Sequence, residues 1–236
     1  QSRHWMEFLT EGVRRAWALL LAGDSEVFGI AVLTLKVAVV ATTIACGAGL
    51  PLGYFLATRR FWGRRAALTV VNTALAFPTV VVGLLVYGVL SRRGPLGSIG
   101  WLYTWQAIVL GDVLLALPIA AALSAAALQG VDPRIRRTAE TLGAGSWRTA
   151  WTVAREARFA LAAVITAAFG QVVAEIGAAL IVGGNIRGET RTLTTAVALY
   201  TSQGDFGMAL ALGLVLVMLA LIVNIALQLL QGRGSG

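Results

Sequence analysis

Residues 130–158 read GVDPRIRRTAETLGAGSWRTAWTVAREAR, a basic stretch with six arginines that separates two long apolar runs. A helix of roughly 20 apolar residues is long enough to cross a bilayer. A charged stretch between two such runs therefore predicts an insert that leaves the membrane. Such an insert is where a membrane protein would contact a soluble partner.

The composition of the chain predicts an integral membrane protein. Its 236 residues are 58% hydrophobic and 13% charged, whereas soluble domains carry about 25% charged residues. The runs long enough to span a membrane are 28–57, 67–90, 102–128, 159–182 and 207–230. The sequence thus predicts an all-α, polytopic membrane helix bundle with five transmembrane helices in residues 27–236, and a separate N-terminal segment at 1–26.

The distribution of arginines predicts the orientation of this bundle. The formal net charge is +8, from 18 arginines and one lysine. Because the arginines lie beside apolar runs, they indicate membrane orientation rather than nucleic-acid binding. Two loops on the same side hold Arg59, Arg60, Arg64 and Arg65, and then Arg134, Arg136, Arg137, Arg148, Arg155 and Arg158. The positive-inside rule places both loops in the cytoplasm, with the N-terminus outside and the C-terminus inside.

The N-terminal segment is amphipathic. From Trp5 to Leu21, apolar residues recur near one face, and Glu11 and Arg15 are spaced to pair across one turn of the other face. This pattern predicts an interfacial helix lying on the outer surface. A helix packed against the bundle is the alternative.

Three charged residues fall inside the predicted membrane runs: Lys36, Asp112 and Glu175. Each lies about ten residues from the outer end of its run, which is roughly 15 Å of helix. Charges at this depth are costly unless they pair or face water, so they are candidates for function. The alternative is an ion pair of Lys36 with Asp112 or Glu175 that only holds helices together. No catalytic residue is predicted, because no histidine or cysteine accompanies either carboxylate, and the single Cys46 excludes a cysteine metal cluster.

Prolines also fall inside the membrane runs, at Pro51, Pro78 and Pro118. Each predicts a kink, since proline removes a backbone hydrogen bond. Such kinks are either hinges of a moving pathway or static bends in a packed bundle.

The insert at 130–158 has the capping residues of two short helices. Asp132 followed by Pro133 is typical of a helix start and predicts a helix that continues to Leu142. Gly143 then breaks the helix, and Ser146 is placed to cap a second one. The alternative is an amphipathic loop anchored at the lipid head groups.

The elbow of the insert resembles the cytoplasmic EAA signature of ABC importer permeases. In this comparison Arg137, Thr138 and Ala139 occupy the triplet and Gly143 the glycine, whereas Arg155 and Glu156 replace the usual Leu-Pro. The resemblance implies that a group of residues in the elbow contacts an ATPase: Arg137, Thr138, Ala139, Glu140, Thr141, Leu142, Gly143, Ala144 and Trp147.

A second set of motifs resembles the tungstate permeases of the molybdate and tungstate branch of these importers. The motifs are EIG at 175–177, VGGNIRGETR at 182–191, LTTA at 193–196 and GDF at 204–206. The resemblance implies pathway or gate residues at Glu175, Gly183, Gly184, Asn185, Thr194 and Thr195.

The same resemblance implies an assembly in the inner membrane. Two copies of the chain would form a pathway for tungstate, or for molybdate or another tetrahedral oxyanion. An anion-binding protein would serve it outside, and an ABC ATPase dimer inside would bind ATP and Mg. The chain itself carries no cofactor in this scheme, and it has no GxxxxGK[ST] phosphate loop.

The predicted external loop at 183–206 has groups that suit an oxyanion. Arg187, Arg191 and several threonines can donate hydrogen bonds to one, and an apolar patch at 193–199 predicts a short re-entrant or surface helix. The alternative is a polar loop that only packs on its neighbours. For the whole chain, the alternatives to an ATP-driven permease are a membrane enzyme, an ion-driven secondary carrier and a scaffold that recruits a soluble protein.

Overall fold

A computed structural model describes residues 10, 13–14, 17–18, 25–59 and 61–232 of the chain. The described part is helical with connecting turns, and it contains no strand. The interfacial helix predicted from Trp5 to Leu21, in the segment 1–26, falls mostly outside the described residues, so it stays a prediction.

The helices are numbered here in chain order. They are α1 Ser25–Thr58, α2 Arg64–Ala74, α3 Thr79–Leu90, α4 Trp105–Gln129, α5 Pro133–Thr141, α6 Ser146–Glu156, α7 Arg158–Val173, α8 Gly177–Gly183, α9 Leu193–Ser202 and α10 Phe206–Gly232, with a short 3-10 turn at Gly97–Ile99.

Helices α1 and α4 pack closely at the centre of the bundle, because small residues face each other across their interface. A Cβ atom added at Gly49 would lie 2.6 Å from the Cβ atom of Ala120. One added at Gly53 would lie 2.6 Å from the carbonyl oxygen of Ala121 and would overlap the hydroxyl of Ser124. Contacts of this kind let membrane helices gain van der Waals attraction, since lipid supplies little hydrophobic drive for association.

Three helices, α1, α4 and α10, are each long and apolar enough to cross a membrane alone. The run predicted at 67–90 consists of two helices, α2 and α3, which meet at an angle of 101°, so the kink predicted at Pro78 is confirmed. The break precedes Pro78, which stands in extended conformation before α3. Pro51 and Pro118, by contrast, lie inside α1 and α4.

The run predicted at 159–182 also consists of two helices, although no proline falls within it. Helix α7 ends at Val173 and α8 begins at Gly177, so Glu175 lies in the break. The side chain of Glu175 accepts a hydrogen bond of 2.9 Å from the backbone N–H of Ala178 and thereby caps α8. A Cβ atom added at Gly177 would lie 2.5 Å from the Thr79 hydroxyl and 3.2 Å from the backbone nitrogen of Val80, so a larger residue would displace the start of α3.

The short helix predicted at 193–199 is confirmed as α9, Leu193–Ser202. Its first turn is buried rather than lying on the surface. Thr192 and Thr195 form a reciprocal capping box, in which each side chain accepts a hydrogen bond from the backbone of the other. The backbone N–H of Leu193 also donates to the Thr34 hydroxyl of α1 at 2.9 Å, which fixes the start of α9 against the core.

The two-helix geometry of the insert is confirmed. Asp132 caps α5 by accepting a hydrogen bond of 2.8 Å from the backbone N–H of Arg134, and Gly143 follows the helix with a φ of +81°. The cap predicted at Ser146 is wrong. Ser146 is already the first residue of α6, and Gly145 occupies the cap position without a side-chain hydrogen bond.

Candidate functional site

The elbow between α5 and α6 projects large apolar side chains into solvent. Leu142 is 82% exposed, Trp147 81% and Trp151 66%. Exposed apolar side chains clustered beside arginines are typical of a protein-binding surface. The structure brings the predicted ATPase-coupling residues together on this elbow: Arg137, Thr138, Glu140, Thr141, Leu142, Gly143 and Trp147 are exposed, and Ala139 and Ala144 are half-buried.

Backbone and side-chain hydrogen bonds hold the elbow in one conformation. The N–H of Ala144 donates to the carbonyl of Ala139 at 3.0 Å, and the N–H of Gly143 donates to the carbonyl of Glu140 at 3.1 Å. The buried Thr149 hydroxyl of α6 closes the turn by donating to the carbonyl of Ala144 at 3.3 Å. The exposed side chains therefore stand on a fixed support, which lowers the entropy lost on binding.

Arginine side chains connect the insert to the end of α1, a link that sequence reasoning missed. The guanidinium of Arg136 donates to the carbonyl of Thr58 at 3.0 Å and to the carboxylate of Glu140 at 2.9 Å. Arg64 donates to the carbonyl of Leu56 at 2.7 Å. Since α1 has no basic residue in its last turn, these arginines satisfy carbonyls that the helix leaves free. The contact between Arg136 and Thr58 spans 78 residues and has no sequence signal.

A second candidate region is a buried polar cavity beside the break between α7 and α8. Its polar lining consists of Thr34, Asp112, Glu175, Thr192 and Thr194, and its interior has room for about one water molecule. Two of the predicted intramembrane charges therefore meet here, with Asp112 only 2% exposed and Glu175 6%. The lining hydroxyl groups of Thr34 and Thr192 were not predicted.

Lys36 does not join this cavity. Its side chain is exposed, and its amino group lies 3.7 Å from the centre of the Trp105 ring, a cation–π contact. The predicted ion pair of Lys36 with Asp112 or Glu175 is therefore wrong.

The predicted gate residues separate into two places. Thr194 lies with Glu175, since its hydroxyl donates to the Glu175 backbone carbonyl at 2.8 Å. Gly183, Gly184 and Asn185 lie at the other end of α8, in a tight turn with positive φ at Gly184 and Asn185. The two places are joined through Thr195, whose carbonyl accepts a hydrogen bond of 3.4 Å from the Asn185 side chain.

The arginines of the loop after α8 are held by the start of α1. Arg187 makes a two-pronged contact with the carboxylate of Glu26, and Arg191 lies 3.6 Å from the same carboxylate. The Arg191 side chain is 14% exposed, and within the described part of the chain its buried Nε atom has no hydrogen-bond partner. A charged donor thus remains available at this end of the bundle.

The long apolar helices, the bent pairs α2–α3 and α6–α7, and the exposed elbow between α5 and α6 are those of a polytopic membrane helix bundle with a protruding insert. Residues 49–234 match the family described as binding-protein-dependent transport system inner membrane component. The chain belongs to this family, so the predicted resemblance to ABC importer permeases is confirmed. A secondary carrier and a recruiting scaffold do not agree with it.

Sequence relatives and solved structures are consistent with this assignment. The chain is 38% identical to the tungstate uptake system permease protein TupB of Peptoclostridium acidaminophilum, over 96% of the chain and 99% of the relative. It is 30% identical to the molybdenum transport system permease protein ModB of Escherichia coli K12, over 81% and 89%. The fold is similar to a chain in the crystal structure of a bacterial alginate ABC transporter in complex with its alginate-bound periplasmic protein, with a TM-score of 0.73, 17% identity, and coverage of 98% and 88%. The predicted all-α permease fold is thereby confirmed.

Proposed function

We propose that two copies of this chain form the membrane pathway of an ATP-driven importer for a tetrahedral oxyanion, with tungstate as the first candidate. The observation that carries the proposal is the similarity, over almost the whole chain, to a permease named for tungstate uptake. The chain is also similar to a molybdenum permease, which supports tetrahedral oxyanions as the wider class of cargo.

The elbow between α5 and α6 is the proposed contact with the ATPase. Its exposed Leu142, Trp147 and Trp151 offer an apolar surface, and ATP and Mg bind to the partner subunit rather than to this chain. The link from Arg136 to the carbonyl of Thr58 supports this role. A displacement of α5 is passed through that bond to the end of α1.

The proposed orientation places the elbow in the cytoplasm and the loop after α8 outside, with the N-terminus outside and the C-terminus inside. The arginines near the elbow support it through the positive-inside rule. An external oxyanion-binding protein then delivers cargo to the face that carries Arg187 and Arg191. Guanidinium groups suit this task, since they bind oxyanions through paired charge-assisted hydrogen bonds.

The test is purification of the full chain from membranes together with the ATPase that accompanies it, followed by reconstitution with the external binding protein. We expect tungstate to stimulate ATP hydrolysis and its own uptake at a lower concentration than molybdate, sulfate or phosphate. Preference for sulfate or phosphate would overturn the cargo. Absence of any associated ATPase would overturn the permease role itself.

A further inference from the structure

The buried cavity beside the break between α7 and α8 has the chemistry of a cation site, although the proposed cargo is an anion. Two carboxylates, Asp112 and Glu175, line it, and the described residues of its lining include no lysine, arginine or histidine. Lys36 lies elsewhere, over Trp105. Buried charge of a single sign is unfavourable without a partner, so a proton or a bound cation must neutralise the pair.

Asp112 lacks the hydrogen bonds that a buried carboxylate needs. It is 2% exposed, and its Oδ1 atom has no hydrogen-bond partner among the residues that the structure describes. An acceptor that is buried without a partner costs its full desolvation free energy, which exceeds the net stabilisation by a typical hydrogen bond. The Oδ1 atom of Asp112 is therefore available to a ligand bound in the cavity.

The hydroxyl groups around the cavity present oxygen atoms rather than hydrogens. Thr34 donates its proton to the carbonyl of Ile30 at 2.8 Å and accepts the N–H of Leu193 at 2.9 Å. Thr194 donates its proton to the carbonyl of Glu175 at 2.8 Å. With those protons already engaged, what these two hydroxyls can still offer the cavity is lone pairs, which suit a cation and not an oxyanion.

Helix geometry adds to the same electrostatic preference. Val172 and Val173, the last residues of α7, line the cavity, so the negative end of the α7 dipole lies there. Glu175 already offsets the opposite dipole of α8 by accepting the N–H of Ala178. Broken helices that bring a carboxyl-terminal end to a buried site are a known way of coordinating small cations in membrane proteins.

The size of the cavity restricts the ligand. Its interior has room for about one water molecule, too little for a tetrahedral oxyanion. Mg²⁺ usually retains several waters and Ca²⁺ takes six to eight oxygen ligands. The cavity has no room for either ion together with these ligands. We infer that the cavity binds one dehydrated monovalent cation of the size of Na⁺, ligated by Asp112 and Glu175 with threonine oxygens. This cation joins α1, α4, the α7–α8 break and the start of α9.

The test uses the purified full chain in detergent at fixed pH, and measures its thermal unfolding as Na⁺ replaces choline at constant ionic strength. We expect a saturable rise in Tm with Na⁺, absent in Asp112→Asn. Glu175→Gln, which can still accept the Ala178 N–H, should weaken the apparent Na⁺ affinity by on the order of tenfold, since affinity follows the charge of the ligands. Glu156→Gln is the matched control, because Glu156 is exposed at the end of α6 and the nearest lining residue along the chain is Val172; it should respond as the unaltered chain does.

Several results would overturn the inference. One is an equal rise in Tm with choline, and another is a full Na⁺ response in Asp112→Asn. A third is stabilisation by lower pH with no response to Na⁺, which would mean that protons neutralise the carboxylates. If Asp112→Asn does not fold, Glu175→Gln decides, since an unchanged Na⁺ affinity in that variant rejects the site. None of these results depends on the identity of the cargo. The cation site and the proposed oxyanion pathway can therefore be rejected independently of each other.

Discussion

Gly53 lies where α1 and α4 come closest together. Its replacement by alanine would place a methyl group 2.6 Å from the carbonyl oxygen of Ala121 and 2.9 Å from the backbone nitrogen of Ala125. Because both neighbours are backbone atoms, the helices must separate, and we expect a loss of about 1–3 kcal/mol in the free energy of unfolding. Thermal or denaturant unfolding of the purified chain measures this.

Gly47 of the same helix supplies the control for this change. No atom lies within 4 Å of a Cβ atom added there, so Gly47→Ala should leave the stability unchanged or raise it by up to about 1 kcal/mol. Equal effects at positions 47 and 53 would contradict the close packing of α1 on α4.

Gly143 is constrained by backbone conformation rather than by space. Its φ is +81°, and a Cβ atom added there would meet no neighbour within 4 Å. Gly143→Val should therefore distort the elbow, at a cost of about 1–2 kcal/mol, without disturbing the membrane helices. We expect the reconstituted importer to hydrolyse ATP with little transport, while the two copies of the chain still associate.

The matched control is Gly145→Val, two residues further along. Gly145 has a φ of −66° and a ψ of 166°, an extended conformation that valine adopts readily. Coupled turnover should survive that change. Normal coupling in Gly143→Val would reject the elbow as the point of contact with the ATPase.

At single positions, sequence reasoning succeeded where a residue acts through its immediate neighbours along the chain. Asp132, Pro133 and Gly143 were predictable as a cap, a helix start and a helix end, because each depends on local backbone geometry. The grouping of threonine hydroxyls around Asp112 was not predictable in this way. Their meeting depends on the packing of α9 against α1, which brings Leu193 to Thr34 across 159 residues.

Among the helices, the two interrupted runs at 67–90 and 159–182 show what a hydropathy pattern cannot predict. An apolar run gives the length of chain in the membrane, and both 67–90 and 159–182 had sufficient length. Whether such a run is one helix depends on whether other groups, such as the Glu175 side chain, replace the backbone hydrogen bonds of the helix. Pro51 remains inside α1, whereas Pro78 lies at the end of the break where the chain bends by 101°, and no feature of the sequence separated these prolines.

The link between α5 and α1 is testable through Arg136. Replacement by glutamine removes the charge-assisted bond to the Thr58 carbonyl and the ion pair with Glu140. The exposed ion pair contributes only about 0.3–0.5 kcal/mol, so the main loss is the connection to α1. We expect Arg136→Gln to retain the ATPase in co-purification but to lower the uptake per ATP hydrolysed.

Arg134 provides the comparison, because it is exposed on the same helix and only its backbone N–H takes part in the Asp132 cap. Arg134→Gln removes the same charge and should preserve the ratio of uptake to hydrolysis. A similar fall in both variants would mean that positive charge, and not the bond to α1, accounts for the effect.

For the molecule as a whole, the proposed direction of transport requires the elbow and the loop after α8 to face opposite sides of the membrane. Trp62, between α1 and α2, is 102% exposed, and Glu189, between α8 and α9, is exposed as well. Cysteines placed at these positions should react differently with a membrane-impermeant maleimide. We expect labelling at 189 in intact cells, and at 62 only after the membrane is opened.

The native Cys46 gives the background for this measurement, because it is 6% exposed and should react slowly in the unaltered chain. Labelling of both positions from one side would contradict the number of crossings between them, which counts each bent pair as one span. The reverse pattern would keep the crossings and invert the orientation. The elbow would then lie outside, where no ATP-binding subunit could contact it, so the coupling role of Gly143 and Arg136 depends directly on this result.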